Sequence, residues 1–331
     1  MIYREIGKTG MKASVVSLGA WAAGGDAFWG KKEDDRDIVR AIREGIDKGI
    51  NLIDTAPAYG FGYSEQLVGQ AVKGIRNKVF LATKCGLWFG DDEGTFYRER
   101  DGKKIYINLS PRAIKIDMEE SLKNLQTDYI DLYITHVQSS PPFFTPISET
   151  MEALLTLKKE GKIRAIGISN VTAEQVKTYV ECGRIDAIQE KYSMLNRVNV
   201  EQNLLSVAEK HELSLMAYSP LEQGLLTGKF TMNYVVELGS VRNNSVWYKL
   251  DNRKKVIDVL NGWSPLCEKY NCTLTHLVIA WTTAQYDKMY VLCGGRKSSH
   301  IDENVKAGDL ILDAADIAGM RVDIEALSDP Q

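Results

Sequence analysis

Short β-branched apolar runs alternate with helical patterns along almost the whole 331-residue chain, and that alternation restricts it to a parallel sheet wrapped by helices. Eight such runs stand out: SVVSLG (14–19), NLIDT (51–55), VFLATK (79–84), YIDLYITH (129–136), IRAIGIS (163–169), DAIQEKY (186–192), LSLMAYS (213–219) and MYVLCGG (289–295). The helical patterns between them cover 34–48, 64–73, 111–125, 148–160, 172–182, 200–211, 251–270 and 297–308, several preceded by an Asp, Ser or Thr suited to cap a helix. With no linker rich in Pro, Gly or Ser to divide them, the eight repeats predict one domain over residues 1–331, an α/β (β/α)8 TIM barrel. Periodicity alone leaves an open doubly wound sheet standing as the alternative. That sheet is the poorer fit, because no G-x-G-x-x-G follows the first strand.

Three segments depart from the repeat. The opening YREIGKTGMKAS reads as a small hairpin turned at Lys-Thr-Gly, placed to cover the bottom of the barrel. A charged and aromatic insertion, 87–111, separates the third strand from its helix, and a second long segment, 221–250, follows the seventh strand. Both follow strand C-termini, so both belong on the catalytic face.

Composition excludes several classes. Hydrophobic residues at 44% and charged residues at 26% suit a packed globular chain, and a net charge of −3 gives no reason to expect nucleic acid or an anionic membrane as partner. The N-terminal stretch lacks the apolar core of a signal peptide and no run is long enough to span a membrane, so the expectation is cytoplasmic. The five cysteines form no CxxC pair. Cys267, Cys272 and His276 come nearest to a metal cluster but lie on an apolar helical stretch better read as core, and no metal is expected.

The C-terminal ends of the predicted strands carry the chemistry. Asp54 ends the second, Tyr59 follows it, Lys84 ends the third and His136 ends the fourth. Taken singly, they read better as a helix cap, a loop aromatic, a solvated lysine and a core histidine. As a set on three neighbouring strands they form a proton donor aimed at a carbonyl. A lysine ammonium beside the phenol would lower its pKa from about 10, and Asp54 would hold that ammonium charged. His136 would donate a hydrogen bond to the carbonyl oxygen. No serine or cysteine pair offers itself for acyl transfer.

The run DTAPAYGFGYSE (54–65), with LATK (81–84), SLKNLQTDYIDLYITH (121–136) and GKIRAIGISN (161–170), closely resembles the aldo-keto reductase superfamily, in particular its bacterial branch related to the potassium-channel β subunits. The match runs from EIGKTGMKAS to HIDENVKA. By that resemblance Asp54, Tyr59, Lys84 and His136 are a catalytic tetrad, with Tyr59 the general acid in reduction and the base in oxidation. Hydride would pass directly between C4 of a nicotinamide and a carbonyl carbon, without metal or flavin. The resemblance further implies that Ser169, Asn170 and Gln189 hold the carboxamide and that Tyr218 stacks on the ring. Ser219, Pro220, Leu221, Gly224, Leu225 and Lys229 would wrap the pyrophosphate, with Arg242 closing over it. Gly19 and Trp21 follow the first strand, and Gly294, Arg296, His300, Glu303 and Asn304 fit an adenosine site in which Arg296 faces a 2′-phosphate. NADP is therefore expected, with NADPH preferred to NADH. His300 stands where the family usually has Gln, Ala20 where Thr is common and Cys293 where Pro is usual.

For substrate, Trp21, Trp29, Trp88 and Phe89, with 91–108 and QSSPPFF (138–144), are expected at the pocket mouth. Aromatic faces mixed with charge suit a sugar, a sugar-derived ketone or a cyclic polyol. Arg98, Arg100, Lys103 and Lys104 would suit an anionic sugar derivative and read equally as a solvated loop. Two other functions fit a lysine at the end of a barrel strand and a nicotinamide site: a Schiff-base aldolase through Lys84, and a non-catalytic subunit that reports redox state. The oligomeric state is not read from the sequence.

Overall fold

The computed structural model describes residues 1–25, 34–237 and 239–327. Its first elements, β1 (Tyr3–Glu5) and β2 (Lys12–Ser14), form the expected antiparallel hairpin. The barrel begins with β3 (Val16–Gly19), β4 (Leu52–Asp54) and β5 (Phe80–Cys85). The 87–111 insertion then folds into a three-stranded antiparallel sheet, β6 (Leu87–Trp88), β7 (Thr95–Arg100) and β8 (Lys103–Ile107), in the order β6-β8-β7. The barrel resumes with β9 (Ile130–Thr135), β10 (Ile163–Ser169), β11 (Ala187–Lys191), β12 (Ser214–Tyr218) and β13 (Met289–Gly294). All eight barrel strands pair in parallel with their neighbours in chain order, and β13 closes on β3 through Val291 opposite Val16 to Gly294 opposite Gly19. The closed (β/α)8 barrel is thus the fold, and the open sheet is not.

The helices are α1 (Asp35–Asp47), α2 (Tyr63–Val72), α3 (Pro111–Leu125), α4 (Ile147–Lys159), α5 (Ala173–Cys182), α6 (Leu205–His211), α7 (Leu250–Gly262), α8 (Ser264–Lys269), α9 (Leu274–Thr283), α10 (Ser298–Lys306) and α11 (Ala314–Glu325). Local chemistry fixes their starts. The Ser110 hydroxyl accepts from the Ala113 N–H with Pro111 at the first turn of α3, and Thr172 and Gln175 form a reciprocal capping box on α5. The single helix predicted over 251–270 divides at Trp263, because Pro265 has no N–H to give the preceding turn. Two helices, α9 and α11, were not among the eight expected. Helix α9 is buried on every side after Leu274 and therefore shows no amphipathic period.

Side-chain alternation sorts the strands into two cores. Outward residues such as Val16, Leu18, Ile53, Leu81, Ile166 and Val291 pack with Ile38, Ile42, Leu67, Met118 and Leu154 of the helices. Inward residues Leu52, Ala82, Leu132, Ile134, Ala165, Ala187, Met216, Tyr290 and Leu292 fill the barrel, and Ile6, Met11 and Ala13 of the hairpin plug its lower end. This inward phase positions the site. Two residues beyond Leu52, Ala82, Ile134, Ala187 and Met216 stand Asp54, Lys84, His136, Gln189 and Tyr218, and four beyond Ala165 stands Ser169.

Candidate active site

Those six residues therefore share the upper, C-terminal mouth of the barrel, where five of them, with Tyr59, line a cavity of about 750 Å³. Lys84 lies beneath it, fully buried, and Asp54 is 3% exposed. The Lys84 ammonium donates to both Asp54 carboxylate oxygens at 2.9 and 2.7 Å, to the Thr55 carbonyl at 2.8 Å and to the Tyr59 hydroxyl at 3.2 Å. The sequence did not reveal a second hold on the aspartate: the Gln189 amide donates to Asp54 Oδ1 at 2.8 Å. The carboxylate is oriented from both sides.

Tyr59 is fixed by its loop. The Gly24 and Gly60 backbones meet so closely that a Cβ on Gly60 would fall 2.2 Å from the Gly24 carbonyl oxygen, and Gly60 has a φ of +68°. Only glycine permits both the approach and the left-handed turn. Behind the loop, Ser64 donates to the Ala20 carbonyl and accepts from the Thr55 hydroxyl. The Tyr59 ring meets the His136 ring edge-on at 5.8 Å and the Trp21 ring at 6.2 Å. Tyr59, His136 and Trp21 thus surround one end of the cavity.

Electrostatics differ in one respect from the sequence expectation. Burial pushes the Tyr59 phenol above its ordinary value, and the Asp54 charge adds to that, so the nearby ammonium reduces the rise without reversing it. Lys84 acts on the phenol in the direction expected, but the protein walls around the phenol and the Asp54 charge outweigh it. Burial alone would depress Lys84, but the Asp54 charge and the Tyr59 hydroxyl outweigh it and hold the ammonium protonated. Burial, with the positive charges of Lys84 and Arg98, holds His136 well below the usual imidazole range. At neutral pH this end presents a protonated phenol and a neutral imidazole.

From Tyr59 the cavity runs past Ser169 and Asn170 to Tyr218. Asn170 donates to the His136 carbonyl at 2.8 Å and accepts from the Tyr218 hydroxyl at 2.8 Å. Ser219, Pro220, Leu221 and Gly224 follow on the wall, and Glu222, Gln223 and Gly224 are all left-handed, with φ of 44°, 49° and 101°. Outside contacts hold this strained run in place. The buried Glu222 carboxylate accepts from the Ser193 hydroxyl at 2.7 Å and pairs with Lys191 at 3.2 Å, while Arg242 and the Tyr248 hydroxyl both donate to the Gln223 carbonyl. The far end is lined by Lys229, Gly294, Arg296, His300, Glu303 and Asn304, with Lys229 paired to Glu303. Gly19 and Trp21 also line the cavity, whereas Leu225 is fully buried behind the wall.

The pocket mouth differs more from expectation. Trp88 is 4% exposed and turned away from the cavity, its indole N–H donating to Asp91 at 2.7 Å, because it packs under Tyr106 and Ala113. Phe89 lies edge-on to Phe61 at 5.0 Å and is likewise no part of the lining. Trp29 lies outside the described residues. The 138–144 segment packs beside β7, where Thr95 donates to the Ser140 carbonyl. In their place the mouth uses Leu87, Tyr97, Arg98 and Val137. Of the four basic residues in the insertion only Arg98 lines the cavity; Arg100 donates to the Ala58 carbonyl at 3.3 Å and Lys103 sits over the Phe61 ring. Away from the site, His276 serves as a helix cap, its Nδ1 accepting from the Thr273 N–H at 3.2 Å. Among the described residues no helix is long and apolar enough to cross a membrane.

Comparison with known proteins agrees with this geometry. The sequence profile described as "Aldo/keto reductase family" matches residues 15–322. The NADH-specific methylglyoxal reductase of Escherichia coli (strain K12) is 45% identical over 323 residues, which is 97% of this chain and 98% of that protein. A probable voltage-gated potassium channel subunit beta of Arabidopsis thaliana is 31% identical over 94% of this chain and 92% of its own length. Among solved structures, the glycerol dehydrogenase from Gluconobacter oxydans superposes with a TM-score of 0.87 at 32% identity, over 99% of this chain and 96% of that one. A closed parallel barrel carrying this set of residues at its C-terminal mouth, matched by the family profile across nearly its whole length, establishes that the chain belongs to the aldo/keto reductase family.

Proposed function

We propose that this enzyme interconverts a small carbonyl compound and its alcohol, with Tyr59 as the proton donor in reduction. The observation that carries the proposal is the hydrogen-bonded chain from Asp54 through Lys84 to Tyr59, ending at a cavity wall. When bound, a nicotinamide dinucleotide supplies hydride to the carbonyl carbon. The residues present suit such a group: the cavity extends from the Tyr59 end, past the Ser219–Gly224 wall, to a basic far end lined by Lys229 and Arg296. Ser169 and Asn170 would hold the carboxamide, Tyr218 would stack on the ring, and Ser219 to Gly224 with Lys229 and Arg242 would enclose the pyrophosphate.

In reduction, the Tyr59 hydroxyl passes its proton to the carbonyl oxygen as negative charge develops there. Lys84 stabilises the phenolate left behind, and Asp54, oriented by Gln189, keeps Lys84 charged. The neutral His136 donates a hydrogen bond to the same oxygen and fixes the carbonyl for attack. Lys84 is poorly suited to the alternative of Schiff-base formation, since its ammonium is saturated by Asp54, Thr55 and Tyr59 and its pKa is raised. A purely redox-reporting role leaves the oriented phenol without a purpose.

We infer that the substrate is oxygen-rich and short. The expected range of sugar, sugar-derived ketone or polyol narrows to three-carbon compounds, the size of both methylglyoxal and glycerol. Two readings of the cofactor each have an observation. Arg296 in the cavity, at the approach to α10, favours a 2′-phosphate and NADPH. The NADH-specific relative, together with His300 where Gln is usual, favours NADH. We adopt the first, and the test is a screen that follows absorbance of reduced nicotinamide with both cofactors in both directions. NADPH should be preferred, and Arg296→Ala should raise its KM about tenfold while leaving that of NADH alone, the worth of one charge-assisted contact. Equal use of both cofactors by the unaltered enzyme would remove the role given to Arg296.

A further inference from the structure

The insertion sheet carries an irregularity beside the reacting end of the cavity. In the β7–β8 ladder, Phe96 lies opposite Tyr106 and Arg98 opposite Ile105, so Tyr97 is an extra residue without a partner. Successive residues of a regular strand point to opposite faces; a bulge breaks that rule and re-aims side chains. Here the result is that the consecutive residues Tyr97 and Arg98 both line the cavity that Asp54, Tyr59 and His136 line.

The sheet is anchored to the two loops that hold the reacting groups. Ile105, Leu87 and Ile107 pack with Ala58, Phe61 and Val137, which adjoin or lie close to Tyr59 and His136 in sequence. Arg100, two residues after Arg98, donates to the Ala58 carbonyl. The Arg98 guanidinium lies 5.2 Å from the Tyr97 ring centroid, and its charge contributes to depressing His136 and tempers the rise at Tyr59. Arg98 is thus placed by rigid packing and faces the same space as the carbonyl would.

We propose that Arg98 is a specificity-determining residue that donates to an oxygen on the carbon next to the reacting carbonyl, so that the substrates of this enzyme are α-oxygenated carbonyls. The proposal rests on the reading of Tyr59 and His136 as the pair that faces the carbonyl. A guanidinium carries five N–H donors in a fixed fork, so some can reach substrate while others secure the loop. The oxygen read belongs to a ketone or a carboxylate; the fork serves both, and the carboxylate gains more from the charge. Tyr97 covers the carbon face of such a substrate.

The test compares kcat/KM for three aldehydes of similar size: propionaldehyde, which has no second oxygen, methylglyoxal and glyoxylate. The unaltered enzyme should favour the two oxygenated aldehydes. In Arg98→Gln the methylglyoxal-to-propionaldehyde ratio should fall about ten- to a hundredfold, the worth of a charge-assisted hydrogen bond, with the glyoxylate ratio falling further. Arg98→Lys should recover part of the glyoxylate ratio, and cofactor affinity measured by fluorescence should stay unchanged in both variants. An unaltered enzyme that does not discriminate, or ratios that survive in Arg98→Gln, would overturn the proposal. Tyr59→Phe, run alongside, separates this from failure of the parent reading: full activity there removes Tyr59 as the group facing the carbonyl, whatever Arg98 does.

Discussion

Tyr59 and His136 have their protonation set in opposite directions by the same enclosure. Burial raises the phenol and lowers the imidazole, so both are neutral over the middle pH range. The consequence for rate follows from which form each direction needs. Reduction uses the protonated phenol, so kcat for reduction should stay level from about pH 6 to pH 9 and fall only in more alkaline solution. Oxidation uses the phenolate, so its rate should climb with pH across that range. Initial rates in both directions in constant-ionic-strength buffers check this, and an acid limb near pH 6.5 in reduction would mean a charged His136. His136 was legible from its place at a strand end, and Tyr59 from the loop that follows the second strand. Their protonation was not, because burial and charge depend on neighbours from elements remote in sequence, such as Arg98, whose charge helps to lower His136.

Helix α3 and strand β5 meet through a buried acid that plays no part in the cavity. Asp117 is pushed up to about 8 by burial, against the opposing effect of the Gly86 N–H that it accepts at 3.0 Å, with nearby Glu65 adding to the rise. Since its folded pKa stands above the ordinary carboxyl value of 3.8, folding favours the protonated form. The stability it lends is whole below about pH 4 and is lost as pH rises through about 8. Asp117→Asn keeps an acceptor for Gly86 and removes the titration, so unfolding free energies from urea at pH 5, 7 and 9 should decline less steeply than in the unaltered protein, and the variant should be the more stable at pH 9. An identical slope would show that Asp117 does not titrate as described. At this scale the sequence was read well where period and caps agree, as in α3 and α5. It was read poorly where a helix is apolar all round, as in α9, and in the insertion, whose strands β7 and β8 pair with each other outside the barrel repeat. Trp88 shows why aromatic content misleads: its ring serves the insertion's own small core rather than the pocket.

Across the whole molecule, closure of the barrel turns an alternation of side chains into a ring of functional groups. Each strand sends its last inward residue to the same mouth, so Asp54, Lys84 and His136, dispersed over 83 positions, become neighbours once β4, β5 and β9 pair in order. The eight-fold repeat, with no G-x-G-x-x-G after the first strand, made the barrel the better of two readings of the sequence, and the pairing of β13 with β3 decides between them. The pocket mouth escaped because loops, and a bulge within one of them, decide which side chains face inward. The most direct measurement of the central claim is single-turnover reduction of methylglyoxal by Tyr59→Phe, with cofactor affinity measured on the same protein. Loss of about 10³-fold in the rate of hydride transfer is predicted, with nicotinamide binding intact; a rate within tenfold of the unaltered enzyme would contradict Tyr59 as the proton donor.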